Sequence, residues 1–221
     1  MNPAALELQQ VTILLGARPL IAGLSLIIEP GQVVTLKGES GVGKSSLLAW
    51  MCGTIPEAFR ASGRVLHGAT DLTQLRPEDR RLGILFQDDL LFPHLTVGQN
   101  LAFALPTTFR SRAERRTRVE RALDVAGLGG YANRDPATLS GGQRARVAVM
   151  RVLLSEPRAL LLDEPFSKLD HATRQRFRKF VFDHLREARL PTLLVTHDPE
   201  DALAAAGMTL ELPFDGSPQV R

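Results

Sequence analysis

One cysteine, Cys52, stands in a chain of 221 residues, so no internal disulfide can form and a reducing compartment is expected. There is little charge excess: 27 Lys and Arg face 24 Asp and Glu, a net +3 that gives no lead toward nucleic acid. The opening segment, MNPAALELQQ, lacks a basic region followed by an apolar core, so no signal peptide is expected. No run is fit to span a membrane. Leu90 to Phe109 carries no Lys, Arg, Asp or Glu, but Pro93 and Pro106 break it and His94, Gln99 and Asn100 interrupt it. A spanning helix needs about 20 predominantly apolar residues. If the protein works at a membrane, another chain must anchor it. Internal repeats and low-complexity tracts are also missing. The remaining composition, 44% apolar and 23% charged, is that of a globular protein with a core of ordinary size.

The chain does hold short apolar runs alternating with helical spacing. Leu6 to Ile28 reads as antiparallel strands with turns at Gly16 and Gly23, and Gly63 to Leu66 as a return to that sheet. Val33–Leu36, Leu82–Phe86, Ala159–Leu162 and Thr192–Thr196 are runs fit for buried strands. Helices are expected over Lys44–Cys52, Ala113–Ala126 and His171–Glu187, with helical pattern through much of Leu95–Leu154. Strands alternating with helices predict an α/β core with a parallel sheet, carrying an N-terminal antiparallel β subdomain and an inserted helical subdomain. The expected boundaries are 1–87 and 156–221 for β subdomain plus core, and 88–155 for the helical part, within one domain of 1–221.

Gly38-Glu39-Ser40-Gly41-Val42-Gly43-Lys44-Ser45, with Ser46 next in the helix, matches the phosphate-loop pattern G-x-x-x-x-G-K-[ST] in the context it needs, strand before and helix after. Glycines let the loop wrap closely around an anion, and the backbone N–H groups and helix N-terminus stabilise its charge. Lys44 would neutralise the β- and γ-phosphates, and the Ser45 hydroxyl would hold Mg²⁺. A capped glycine turn is the bland alternative, which the strand–loop–helix context disfavours. Many nucleoside triphosphatases share the motif, so it does not choose among them.

Asp163 and Glu164 end the Leu160–Leu162 run, where ligands gather in open α/β sheets. Asp163 is the candidate Mg²⁺ contact, and Glu164 the group that orients and polarises attacking water. Alone, such a pair is usually a solvated turn; the phosphate loop upstream reverses the odds. Further along, Leu139-Ser140-Gly141-Gly142-Gln143 opens a helix, with Ser140 as N-cap and two glycines allowing close approach to an anion. Two phosphate sites with one lysine-bearing loop suggest that the second serves a nucleotide held by another copy.

LSGGQ between a phosphate loop and a strand ending in Asp-Glu resembles the signature of the ABC ATPases, and further markers follow in order. Gln87 resembles the Q-loop glutamine that touches Mg²⁺ and the attacking water. Ser167-Lys168-Leu169-Asp170 resembles the D-loop that crosses to the partner subunit. His197 resembles the switch histidine at the γ-phosphate. The resemblance runs from Leu6 to about Glu211. Within the family, the patterns around Leu85–Phe92 and Asp135–Ala148 are similar to those of compact YnjD-type transporter ATPases, with thiamine- and iron-type importers more distant kin.

The resemblance implies an ATP- and Mg²⁺-dependent ATPase that works as a homodimer, or with a paired ATPase subunit, on the cytoplasmic face of the inner membrane. Two ATP molecules would be sandwiched, each between one copy's phosphate loop and the other's Ser140–Gln143. An integral membrane permease would be its partner, and through it a solute-binding protein, with import of a small solute expected. The docking surface for the permease would include Leu90, Leu91 and Phe92, with Trp50 beneath; the competing reading makes these residues core filler, and is favoured for Trp50. No regulatory domain is expected after His197. The alternative function is a non-transport ABC ATPase acting on nucleic acid; the single cysteine, the single phosphate loop and the lack of sustained heptads oppose it. A regulatory ATPase that closes without hydrolysis is opposed by the complete set Lys44, Ser45, Gln87, Asp163, Glu164 and His197.

Two departures from the family stand out. The family stacks adenine on an early aromatic residue, whereas Val11–Gly16 offers none and Leu15 stands in its place. Lys168 replaces the usual D-loop alanine, leaving its effect on dimerisation or its exposure to water open. Arg110, Arg112, Arg115, Arg116, Arg118 and Arg121 form a basic run read as a solvated face, with attraction to anionic lipid as the other meaning.

Overall fold

The computed structural model describes residues 4–212; residues 1–3 and 213–221, which belong to the expected single domain, lie outside the described residues. In chain order, the first elements are β1 (Leu6–Leu15), β2 (Arg18–Ile28), β3 (Val33–Gly38), α1 (Lys44–Cys52), β4 (Phe59–His67) and β5 (Thr70–Asp71). They are followed by α2 (Pro77–Arg80), β6 (Leu82–Leu85), α3 (Val97–Ala104), α4 (Arg112–Val125) and α5 (Gly141–Leu154). The remainder is β7 (Ala159–Asp163), α6 (His171–Glu187), β8 (Thr192–Val195), α7 (Pro199–Ala205) and β9 (Thr209–Leu212). Two compact units result. One comprises Met1–Leu82, Arg158–Glu164 and Phe182–Arg221, the other Gly83–Pro157 and Pro165–Val181.

The first unit holds two sheets. The antiparallel one has the order β2-β1-β4-β5. Its β1 alternates buried and exposed residues, as a strand with one covered face must. Gly23, expected to be a turn, instead lies inside β2 at φ 66°. The β1–β2 register shifts on either side of Val11, and the Gly23 N–H donates to the Thr12 hydroxyl at 3.0 Å. A residue with positive φ bulges a strand without ending it, so the turn lies only at Gly16-Ala17. In the second sheet β7, β8, β3 and β9 run parallel in that order. The residues of β8 are all buried, as are the first four of β3 and of β7, which explains their unbroken apolar sequence.

Arg80 is a buried charge in this unit, 7% exposed. Its guanidinium donates to the carbonyls of Trp50 at 2.8 Å, Met51 at 2.7 Å, Thr73 at 3.1 Å and Leu75 at 3.1 Å. It thereby closes the C-terminus of α1, where the helix dipole is negative. Trp50 itself is 7% exposed and belongs to the core. Next to it, burial pushes the Cys52 thiol up to about 11, with Arg80 pulling weakly the other way. The folded value lies above the unfolded one, so this thiol contributes stability that is lost as pH rises from about 9 toward 11. Native protein at pH 8.5 is expected to resist iodoacetamide while denatured protein reacts quickly, a contrast that intact mass measures directly.

The second unit is helical around Val97, Leu101, Val119, Leu123, Val147 and Leu139. Its helices begin where the sequence supplies caps: Thr96 with Gln99 for α3, Ser111 for α4, Ser140 with Gln143 for α5. The expected Ala113–Ala126 helix is α4, one residue earlier at each end. Its basic run is not a uniformly solvated face. Arg115 is half-buried and donates to the carbonyls of Ala102, Pro106 and Phe109, tying α4 to the end of α3. Arg118 lies 3.6 Å over the Phe109 ring, and Arg116 pairs with Glu120 at 2.7 Å. Asn100, fully buried, bonds the backbone of Phe92 in both directions and the carbonyls of Leu95 and Thr96, fixing the loop before α3. No described helix is long and apolar enough to cross a membrane.

Candidate active site

The carboxyl ends of β3, β8 and β7 lie side by side, and the functional residues of the first unit collect there. The loop after β3 leads into α1, whose N-cap is Gly43 with no side chain to satisfy the first-turn N–H groups. By contrast, α3, α4, α5 and α7 are each capped by a side chain. The start of α1 therefore presents its donors to an anion. Gly43 holds φ 105°, and a Cβ on it would lie 2.9 Å from the Cβ of Leu20. Glycine is thus required both for the turn and for the approach of β2. Lys44 is 8% exposed, and its Nζ donates to the carbonyls of Gly38 and Glu39, each at 2.7 Å. The loop backbone aims its charge along the cradle.

A cleft of about 380 Å³ opens at this point. Ser40, Gly41, Gly43, Lys44, Ser45 and Ser46 line it on one side, Asp163 and Glu164 on another, and Leu15, Leu20 and Phe59 at its apolar end. Burial raises the Asp163 carboxyl above the usual range, with the neighbouring Glu164 adding to the rise; the Ser45 hydroxyl bonded to it and the Lys44 charge oppose it. An ionised Asp163 is therefore held at a cost until a cation faces it. Ser45 and Asp163 offer hard oxygen donors, the set that suits Mg²⁺ when water and phosphate complete the shell.

Glu164 follows directly, at φ 47°, a conformation that costs a non-glycine residue energy and that clusters at functional sites. Its N–H donates to the Val195 carbonyl at 2.9 Å, and its Oε1 lies 3.0 Å from Nδ1 of His197. His197 is in turn set by a buried bond absent from the sequence reading: the Thr196 hydroxyl, 1% exposed, donates to Asp201 at 2.7 Å and accepts the Asp198 N–H at 3.1 Å. Asp201 lies on α7, so this bond anchors the turn that carries His197. The arrangement can hold a polyphosphate, neutralise it and present a carboxylate to a water near its terminus.

The other expected residues lie in the second unit. Ser140 and Gln143 cap α5 reciprocally at 3.3 and 2.9 Å. Gly142 sits so close to α6 that a Cβ would meet the Thr173 methyl at 2.6 Å. Gly141 and Gln87 line a pocket of about 130 Å³ with Asp88, Arg144 and Lys168. Lys168 is exposed to water and pairs there with Asp88, in the loop after Gln87. The structure thus brings the Gly38–Ser46 loop, Asp163, Glu164 and His197 into one site, and Gln87 with the Ser140–Gln143 turn into the other unit. Phe59 was missed by sequence reasoning. β4 begins four residues before the expected Gly63, and only the β1–β4 register brings Phe59 opposite Leu15.

A family model described as ABC transporter matches residues 21–167. The uncharacterized ABC transporter ATP-binding protein YnjD of Escherichia coli (strain K12) is 47% identical over 196 residues, 89% of this chain and 90% of that protein. The Fe(3+) ions import ATP-binding protein FbpC of Brucella abortus (strain 2308) is 39% identical over 99% of this chain, and the chain spans 61% of it. The sulfate/thiosulfate import ATP-binding protein CysA of Gloeobacter violaceus (strain ATCC 29082 / PCC 7421) is 45% identical over 83% of this chain and is spanned to 52%. The matched residues 21–167 take in the phosphate loop, the Ser140–Gln143 turn and the Asp163–Glu164 pair, and the chain belongs to the ABC transporter family as one of its ATP-binding, ATP-hydrolysing members.

Proposed function

We propose that the chain hydrolyses ATP to drive a bacterial importer of a small solute, as one half of an ATPase dimer docked on the cytoplasmic side of a membrane permease. The observation that carries the catalytic part is the convergence of Lys44, Ser45, Asp163, Glu164 and His197 on one cleft. Lys44 and the α1 N-terminus hold the phosphates. Ser45 and Asp163 would hold Mg²⁺, which would supply charge neutralisation at the β- and γ-phosphates. Glu164 orients the attacking water and takes its proton, and His197 keeps that carboxylate in place and reaches the γ-phosphate. Phosphoryl transfer asks little more than positioning and charge neutralisation.

The Ser140–Gln143 turn would serve the second nucleotide of the dimer, with Ser140, Gly141, Gly142 and Gln143 as cofactor contacts made in trans; its place at the N-terminus of the long helix α5 supports this reading. FbpC and CysA, both named as import ATP-binding proteins, support the direction of transport. A solute-binding protein would reach the complex through the permease. The family model that matches is that of a transporter, so the nucleic-acid reading gains nothing from it.

For the permease, the second unit offers an apolar surface. Phe92 meets Phe103 edge-on at 5.0 Å, Phe103 is 69% exposed and Leu90 55% exposed. Arg151 bonds the Leu90 carbonyl at 2.8 Å and lies 5.4 Å over the Phe92 ring, joining these residues into one patch. Exposed apolar patches of this kind mark protein contacts. Phe92→Asp, or the more exposed Phe103→Asp, is expected to move the protein from the membrane fraction of expressing cells to the supernatant while ATP binding stays at the wild-type level. Recovery of both variants with the membranes would remove this surface from the interface.

A further inference from the structure

The cleft has two chemically different ends, and phosphate chemistry uses only one of them. Lys44, Ser45 and the start of α1 make the polar end. The other end is formed by Leu15, Leu20 and Phe59, and Phe59 is the aromatic residue among the lining side chains. The two ends are joined physically, since Leu20 packs against Gly43 so tightly that a Cβ there would lie 2.9 Å from its own Cβ. A nucleotide whose phosphates sit on Lys44 therefore has its base directed along β2 toward the apolar end.

Phe59 is well placed to receive it. It pairs directly with Leu15 in the antiparallel β1–β4 ladder, and directly paired residues share one face of the sheet. Its N–H donates to the Pro56 carbonyl at 3.0 Å, which fixes the entry to β4. Phe59 is partly buried and Leu15 is 43% exposed, so both present apolar surface to the cleft rather than filling the core. The cleft volume of about 380 Å³ is within the range of small-molecule sites.

We infer that Phe59, on β4, is the aromatic platform on which the nucleobase of bound ATP stacks, with Leu15 and Leu20 completing the apolar wall. The inference rests on the assignment of this cleft to ATP. It gives base binding to a strand whose first residues carry no sequence motif.

The test separates base from phosphate. ATP and inorganic tripolyphosphate are titrated into the wild type, Phe59→Ala and Phe59→Trp. Stacking on one aromatic ring supports roughly a tenfold or larger change in affinity. Phe59→Ala is expected to weaken ATP about tenfold or more and to bind tripolyphosphate as the wild type does. Phe59→Trp is expected to retain ATP binding, with fluorescence at position 59 quenched by ATP and unaffected by tripolyphosphate, against the constant signal of buried Trp50. Undiminished ATP affinity in Phe59→Ala, or equal loss of ATP and tripolyphosphate, would overturn the platform while leaving the phosphate site intact. If the wild type binds neither ligand, the assignment of the cleft itself fails.

Discussion

Glu164→Gln should bind ATP like the wild type and release phosphate at least a hundredfold more slowly. A positioned general base contributes about 10²–10⁴ to rate, and glutamine keeps the volume of glutamate but not its basicity. The amide can still bond Nδ1 of His197, so the 3.0 Å contact and the strained backbone at φ 47° need not change. Binding is expected to be spared because the proposed phosphate cradle, Lys44 and the start of α1, is not touched by the substitution. The same variant, unable to complete the cycle, should accumulate as a dimer in saturating Mg-ATP, visible by size-exclusion chromatography or light scattering. Steady-state phosphate release near the wild-type rate would take the base role from Glu164. A variant that stays monomeric with Mg-ATP, alone and with its permease, would sink the shared-nucleotide dimer.

Arg80→Leu is the substitution with the largest expected effect on stability. The guanidinium has no described ion-pair partner; four backbone carbonyls and the end of α1 hold it. Leucine fills part of the volume and leaves those carbonyls short of donors away from water. An unsatisfied buried polar group costs about 1–3 kcal/mol, and the Trp50 carbonyl retains the Gly53 N–H, so a net loss of about 3 kcal/mol is expected. For a chain of this size that lowers the thermal midpoint by roughly 6–12 °C. The space left at Gly53, where a Cβ would come within 2.8 Å of Cζ of Arg80, shows how closely the guanidinium is enclosed. Arg80→Lys, with one donor group in place of a planar fork, should recover only part of the loss. A midpoint within a degree of the wild type for Arg80→Leu would show that water replaces the guanidinium freely.

These two residues differ in how they could be found. Glu164 ends a run of buried leucines and follows Asp163, so its place in the cleft was legible beside a phosphate loop. Arg80 sits in Arg76–Arg81, a charged stretch that reads as surface. Its burial depends on the carbonyls of Trp50 and Met51, thirty residues upstream, which sequence spacing cannot bring into view. Arg115 in the basic run of α4 was misjudged for the same reason: its partners are carbonyls, and carbonyls leave no mark in a sequence.

By itself the sequence determined the chemistry of contiguous segments: the Gly38–Ser45 loop, the Ser140–Gln143 cap and the Asp163–Glu164 pair. Each depends on backbone N–H groups and side chains within a few residues, and helix starts at Thr96, Ser111 and Ser140 are written the same way. Tertiary structure alone decided that Gly23 bulges a strand instead of ending it, that Thr196 and Asp201 anchor the His197 turn, and that Phe59 faces the cleft beside Leu15. Those outcomes follow from strand register and burial, which are set by the whole core, because shifting a strand by one residue sends every side chain to the opposite face.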